Sequence, residues 1–75
     1  MKFVVTRASD LLGNKKPCKN AKKELINYKN GSDEEWTIEI NTLEELINFS
    51  KEVGNNLVLS VDDNLELTIY DSYLE

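Results

Sequence analysis

The sequence predicts an α+β domain in which one α-helix packs on one face of a mainly antiparallel sheet of four to five strands. Residues 35–40 alternate strictly between polar and apolar side chains, as a half-buried strand does. Residues 42–45 form a Thr-Leu-Glu-Glu capping box, which marks the start of a helix. Residues 57–70 read as two short alternating strands across a polar turn, which is typical of a hairpin.

The amino-terminal part predicts one strand and one loop. Residues 2–7 alternate and are rich in β-branched side chains, so they indicate a strand. Residues 8–20 contain Gly13, Pro17 and several lysines, which break any regular period. The 75 residues suffice for a single domain, 1–75, with a thin core.

Residues 21–29 fit either a helix or a strand, because their apolar side chains match both periods. We favour a strand over residues 23–29, since Asn30 and Gly31 follow and supply the conformations of a tight turn. The turn is expected over residues 30–33, with the next strand over 35–40. The order of the strands in the sheet stays open at this point.

The helix is expected to begin after Thr42 and to end at Gly54. The Thr42 hydroxyl can accept a hydrogen bond from the amide of Glu45, whose carboxylate can reach back to the amide of Thr42. Apolar residues follow at helical spacing, and a glycine commonly ends a helix in the left-handed conformation. The closing hairpin then comprises strands 57–61 and 65–70.

Charge is distributed unevenly along the chain, whose net charge is −5. Residues 1–30 hold eight basic and two acidic side chains, and residues 31–75 hold one basic and twelve acidic ones. Such a chain either neutralises itself in the fold or presents faces of opposite sign. No apolar run approaches the roughly 18 residues of a membrane span, so we expect no membrane association.

Catalysis is not expected. The chain has no histidine, so it lacks the commonest general base and metal ligand. Its three glycines stand apart and form no phosphate-binding loop, and its serines lack a nucleophile elbow. The paired carboxylates lie in expected turns and on the outer face of the helix. A carboxyl group that acts as a general acid needs an apolar pocket that raises its pKa, and these positions offer none.

Cys18 is the single cysteine, so an internal disulfide is excluded and a reducing cytosol is the expected compartment. Neighbouring lysines could lower the pKa of its thiol and make it reactive, whereas burial would make it a small apolar core residue. Zinc bound by Cys18 and Asp10 is conceivable, but this pair is far from the usual cysteine and histidine sets. We therefore expect no cofactor.

Two opposite binding surfaces are conceivable. The Lys15–Lys23 loop could contact phosphates, but the acidic remainder of the chain would repel nucleic acid. Alternatively, an acidic face could occupy a groove meant for phosphates on a basic protein. Tyr73 is the candidate aromatic anchor for such a contact. The candidate partner-binding residues are the carboxylates Glu35, Glu39, Glu44, Glu45, Glu52, Asp62, Asp63 and Glu66.

Several segments together resemble a family of small proteins encoded by phages and integrated elements of low-GC Gram-positive bacteria. The segments are Phe3-Val4-Val5-Thr6-Arg7 with Ser9-Asp10, Lys16-Pro17-Cys18 with Ala21, Glu35-Trp36-Thr37-Ile38-Glu39-Ile40, Leu43-Glu44-Glu45-Leu46-Ile47-Asn48-Phe49 and Ile69-Tyr70-Asp71. Relatives of this type carry a longer insertion between the second and third strands, which is here the short turn after residue 29. Small acidic phage proteins are similar in character to anti-CRISPR proteins, which bind a CRISPR effector without catalysis of their own.

The resemblance implies an inhibitor that binds a type II CRISPR effector nuclease and blocks target-DNA loading or cleavage by protein–protein contact. One alternative is a phage accessory protein that modulates another basic host protein. The other is a small nucleic-acid-binding protein that uses the Lys15–Lys23 loop. In each case we expect a monomer or a small homo-oligomer.

Overall fold

A computed structural model describes residues 1–10 and 14–70 of the chain. The elements are β1 (Lys2–Arg7), β2 (Lys22–Tyr28), β3 (Gly31–Glu39), α1 (Leu43–Glu52), β4 (Leu57–Val61) and β5 (Leu65–Ile69). The five strands form one sheet in the order β2-β3-β1-β5-β4. The predicted α+β class with a mainly antiparallel sheet is confirmed, and the exception is the parallel pair of β1 and β5.

β1 is the central strand, and its sequence explains why. Phe3, Val4 and Val5 are all buried, so both faces of the strand are covered. Val5 pairs with Leu67 of β5 on one side, and Phe3 pairs with Ile38 of β3 on the other. A run of β-branched and aromatic side chains suits a strand that is covered on both faces.

The main core lies between α1 and one face of the sheet. Phe49 is the buried residue of the helix, and it packs in one cluster with Val53 and with alternate residues of the central strands. Ile69 is completely buried. The cluster comprises Phe3, Val5, Cys18, Ala21, Ile40, Phe49, Val53, Leu67 and Ile69. Trp36 is half-buried against this cluster, and its indole ring lies 4.7 Å from Lys23 Nζ.

The opposite sheet face, which we call the open face, curves so that the two hairpins meet. The Lys29 amide donates a hydrogen bond to Asp63 Oδ2 over 2.9 Å, and Lys29 Nζ lies 3.6 Å from Asp63 Oδ1. Asn64 Nδ2 donates to the Asn27 carbonyl over 3.4 Å. These contacts join a turn beside β2 to a turn beside β4, although β2 and β4 are the two edges of the sheet. Val4 and Ile26, which point to the open face, are buried.

Within residues 21–29, Lys22–Tyr28 form a strand, so the helical alternative for this segment is wrong. Tyr28 pairs with Gly31, so the loop consists of Lys29 and Asn30 and not of residues 30–33 as expected. β3 consequently starts at Gly31 instead of residue 35. The physical reason is that Gly31 carries the positive φ of 139° required just after the turn, so the acidic residues beyond it can continue the ladder.

The helix is capped as expected at its start, with one difference. The Glu45 amide donates to the Thr42 hydroxyl over 3.1 Å. The Glu45 carboxylate accepts instead from the amide of Asn41 over 2.7 Å, so it satisfies the residue before the cap and not Thr42 itself. Gly54 and Asn55 both take positive φ after the last turn, as a left-handed helix end requires.

Within residues 1–10 and 14–70, no helix has the length and apolar character needed to cross a membrane, since α1 has ten residues.

Candidate functional site

Strand register decides which expected carboxylates share a face. Val4 points to the open face, and its register partner on β5 is Glu66. Thr37 is the register partner of Val4 on β3, so Glu35 and Glu39 point the same way by alternation. Three of the eight expected residues therefore lie on the open face of the sheet.

An acidic cluster surrounds Tyr28 on the open face. The Tyr28 hydroxyl donates to Glu35 Oε2 over 2.9 Å. A shallow hollow beside the ring is lined by Val4, Tyr28, Asp62, Asp63, Asn64 and Glu66. Asp33 also acts electrostatically on the phenol. We call the group Asp33, Glu35, Asp62, Asp63 and Glu66 the acidic patch.

The ionisation of Tyr28 shows how strongly the acidic patch acts on it. The pKa of Tyr28 is raised to about 12 from an ordinary value of 10.0, and burial is the largest cause. The hydrogen bond to Glu35 and the charges of Glu35, Glu66 and Asp33 account for the rest of this shift, because each of them disfavours a phenolate. The phenol therefore stays protonated and donates to the patch at neutral pH.

Glu39, although it points to the open face, lies at the end of β3 and lines a different surface together with two carboxylates of α1. This surface is a cleft of about 740 Å³ between the helix and the start of β2. Glu39, Glu45 and Glu52 lie there beside four lysines, which are Lys2, Lys16, Lys19 and Lys22. With Glu24, four carboxylates and four lysines line this cleft, so it has no strong charge of either sign. The eight expected residues thus do not share one face, and only Glu35, Asp62, Asp63 and Glu66 belong to the acidic patch.

Specific contacts account for the neutral character of this mixed-charge cleft. The amino-terminal ammonium lies 2.7 Å from Glu39 Oε2. The Lys19 amide donates to Glu52 Oε2 over 3.0 Å. Lys2 pairs with Glu24, and this hydrogen bond lowers the pKa of the Glu24 carboxyl. Glu44, the remaining expected residue, lies in the first turn of α1 and is exposed.

The lysines of the Lys15–Lys23 loop do not form a single basic surface. Lys16, Lys19 and Lys22 line the mixed-charge cleft with its glutamates. Lys23 lies over the ring of Trp36, on the helix side of the sheet. A polyanion would meet carboxylates wherever it approached the cleft lysines, which disfavours the nucleic-acid alternative.

Cys18 is a core residue. Burial raises the pKa of the Cys18 thiol, and Glu52 raises it further, so the neighbouring cations do not activate it. The carboxylate of Asp10 accepts a hydrogen bond from the Lys15 amide over 2.6 Å. Within residues 1–10 and 14–70, no three or more histidine, cysteine, aspartate and glutamate side chains gather as metal ligands would.

Sequence reasoning missed two members of the acidic surface. Asp33 was expected in the turn over residues 30–33, and Tyr28 was expected in the strand over residues 23–29 without a role in the site. The signal that finds both is the hairpin register, because a loop at residues 29 and 30 puts Tyr28, Asp33 and Glu35 on one face. The expected anchor Tyr73 lies outside the described residues.

Comparison of the chain with known protein families, with curated proteins and with solved structures finds no match.

Proposed function

We propose that this chain is a phage-type inhibitor that binds a type II CRISPR effector nuclease through the acidic patch and blocks target-DNA loading or cleavage. It acts in the cytoplasm of the bacterial host. The observation that carries the proposal is the grouping of five carboxylates around the protonated phenol of Tyr28 on the open face of the sheet.

The acidic patch has the charge that a phosphate-binding groove selects. An effector that loads DNA holds the backbone with lysine and arginine side chains, and rows of carboxylates compete for the same cations. Complementary charge also steers the encounter and raises the association rate. The inhibitor class itself rests on an analogy, because the strand and helix segments resemble small phage-encoded proteins, and such acidic proteins are similar in character to anti-CRISPR proteins.

Rigid strands support the patch. Asp33 and Glu35 are on β3 and Glu66 is on β5, while Asp62 and Asp63 form the β4–β5 turn. The contacts of Lys29 and Asn27 with Asp63 and Asn64 fix that turn against the β2–β3 hairpin. Binding a partner therefore costs little ordering of the backbone, which favours affinity.

The test is a pull-down of the effector at low salt, followed by a target-DNA loading assay. The double variant Asp33→Asn with Glu66→Gln removes two charges from the patch. The matched control, Glu34→Gln with Glu44→Gln, removes two charges from residues outside it. The first variant should lose most binding and inhibition, and the control should keep both.

Equal loss in both double variants would contradict a localised acidic interface, and absence of effector binding by the unaltered chain would refute the inhibitor. Capture of a different basic host protein that shows the same dependence on Asp33 and Glu66 would favour the accessory-protein alternative.

A further inference from the structure

The two edges of the sheet differ in how they are protected. β2 reads Lys-Lys-Glu-Leu-Ile-Asn-Tyr, so three of its seven side chains are charged. β4 reads Leu-Val-Leu-Ser-Val and carries no charge. Charged side chains on an edge strand discourage further strand pairing, and an uncharged apolar edge invites it.

The backbone of β4 offers hydrogen-bonding groups on its outer side. The Tyr70 amide donates to the Asn56 carbonyl over 2.9 Å, and the Asp62 amide donates to the Asn64 carbonyl over 3.2 Å. Hydrogen-bonded pairs alternate along an antiparallel ladder, so the even-numbered residues of β4 bond to β5. The N–H and C=O groups of Leu57, Leu59 and Val61 therefore point away from the sheet.

The same three residues present apolar side chains. By alternation, the side chains on the helix side of the sheet are those of Leu57, Leu59 and Val61. The helix α1 does not cover Leu59 and Val61. Leu59 is 57% exposed and Val61 is 71% exposed. On the opposite face of the strand, Val58 is 45% exposed. Among residues 1–10 and 14–70, no strand pairs with the outer side of β4, so this edge combines open backbone groups with exposed apolar area.

We propose that a second copy of this chain pairs with β4, so that two antiparallel β4 strands meet about a two-fold axis at Leu59. Leu59 then lies opposite Leu59 of the second copy, and Leu57 lies opposite its Val61. The Leu57–Val61 pair occurs twice by symmetry, so three residue pairs face each other with their outward-pointing N–H and C=O groups. Each pair exchanges two hydrogen bonds, which gives about six N–H···O bonds between the copies. Six apolar side chains from the two strands come together on the helix side.

The positions of the carboxylates favour this arrangement over a parallel one. In the antiparallel pairing about Leu59, the ladder continued one residue beyond β4 places Asp62 opposite Asn56 of the second copy. This carboxylate thus meets a neutral amide. A parallel pairing would set Asp62 against Asp62, and like charges directly opposite are destabilising. The charged β2 edge of each copy remains outside, so pairing ends at a dimer with a ten-stranded sheet.

The first experiment measures the mass of the chain in solution over a range of protein concentrations by sedimentation equilibrium. The unaltered chain should reach twice the monomer mass. Leu59→Lys sets two ammonium groups against each other at the axis and should stay monomeric. Leu43→Lys, at a helix residue that is 72% exposed, is the matched control and should dimerise normally.

Two outcomes overturn the proposal. One is a monomer mass for the unaltered chain at every concentration up to its solubility limit, and the other is a Leu59→Lys variant that still dimerises. Added salt should strengthen the dimer, because it screens the repulsion between two copies of net charge −5. By contrast, added salt should weaken the binding of this acidic chain to a basic partner, because it screens the attraction between opposite charges.

The second experiment tests the register by cross-linking in a Cys18→Ala background. Leu59→Cys should form an intermolecular disulfide on mild oxidation, because the Cα atoms of a directly opposed pair lie about 5.5 Å apart. Val61→Cys is the matched control, since its two copies lie about 13 Å apart along the strands and should not cross-link. Faster cross-linking of Val61→Cys would disprove the two-fold axis at Leu59.

Discussion

The Tyr28 hydroxyl donates a hydrogen bond to Glu35 Oε2 over 2.9 Å, and this contact ties the end of β2 to the middle of β3 on the open face. The side chain of Tyr28 reaches back along the hairpin to make it, because the register partner of Tyr28 is Gly31. The contact holds the phenol inside the acidic patch.

The ionisation of Tyr28 is the first prediction. The pKa of this phenol should be about 12, and Glu35→Gln should lower it toward 10.0, because the carboxylate charge disfavours the phenolate. Ultraviolet titration measures it, and the difference from a Tyr28→Phe variant isolates Tyr28 from the other two tyrosines. A difference curve centred at the ordinary value would contradict the buried hydrogen bond.

The same shift fixes the direction of a pH effect on stability. The folded chain holds the phenolic proton more tightly than the unfolded chain does. The stabilisation is therefore complete below pH 10.0 and is lost as pH rises through about 12. Tyr28→Phe should remove this part of the alkaline loss of stability.

The helix cap gives a prediction of stability. Thr42→Ala should lower the free energy of unfolding by about 1 kcal/mol, because the Glu45 amide loses its acceptor. Thr42→Ser keeps the hydroxyl and serves as the control, with a much smaller change expected. Urea unfolding followed by circular dichroism measures both. Equal losses for the two variants would mean that the hydroxyl is not the source of the effect.

The core gives a larger effect at Ile69, which is completely buried where β5 meets β1. Ile69→Val should cost about 1 kcal/mol and Ile69→Ala about 2–5 kcal/mol, since each removes packed methyl groups and leaves a cavity. Val58→Ala, at a half-exposed residue of β4, is the control and should cost less than Ile69→Ala. A denaturation midpoint for Ile69→Ala equal to that of Val58→Ala would contradict the assigned core.

The thiol of Cys18 should react slowly with a disulfide reagent at neutral pH. Burial raises the pKa of the thiol and covers its sulfur, so both the thiolate fraction and access are reduced. The control is the same reaction in denaturant, where the rate should rise to that of a free cysteine. A fast reaction of the folded chain would contradict the buried position.

Local sequence signals predicted most elements, because each depends on neighbouring residues alone. The alternation of Trp36 and Ile38 identified β3, and Thr42 with Glu45 identified the start of α1. The start of β3 was misplaced because the residues after Gly31 are acidic, as turns often are. Pairing with β2, and not the acidic composition, makes residues 31–34 part of the strand.

The candidate site was less predictable, because it depends on strand order. Tyr28 is on β2 and Glu66 is on β5, and β3 and β1 lie between these two strands. Glu66 nevertheless acts on Tyr28, because the sheet curves and brings the two side chains together. Glu39 and Glu35 are four residues apart on the same strand face, yet Glu39 lines the mixed-charge cleft and Glu35 belongs to the acidic patch. No spacing in the sequence distinguishes these positions.

The parallel pairing of β1 with β5 has a consequence for the order of events during synthesis. A chain that has emerged from the ribosome only through β3 has β1 paired on one side, while its other edge lacks the strand that completes the sheet. β1 therefore stays unpaired along this edge until β5 has been synthesised, and loop closure over this separation slows folding. We expect the fold to form only after β5 has emerged, so nascent fragments that lack β5 should be digested by proteases that spare the finished chain.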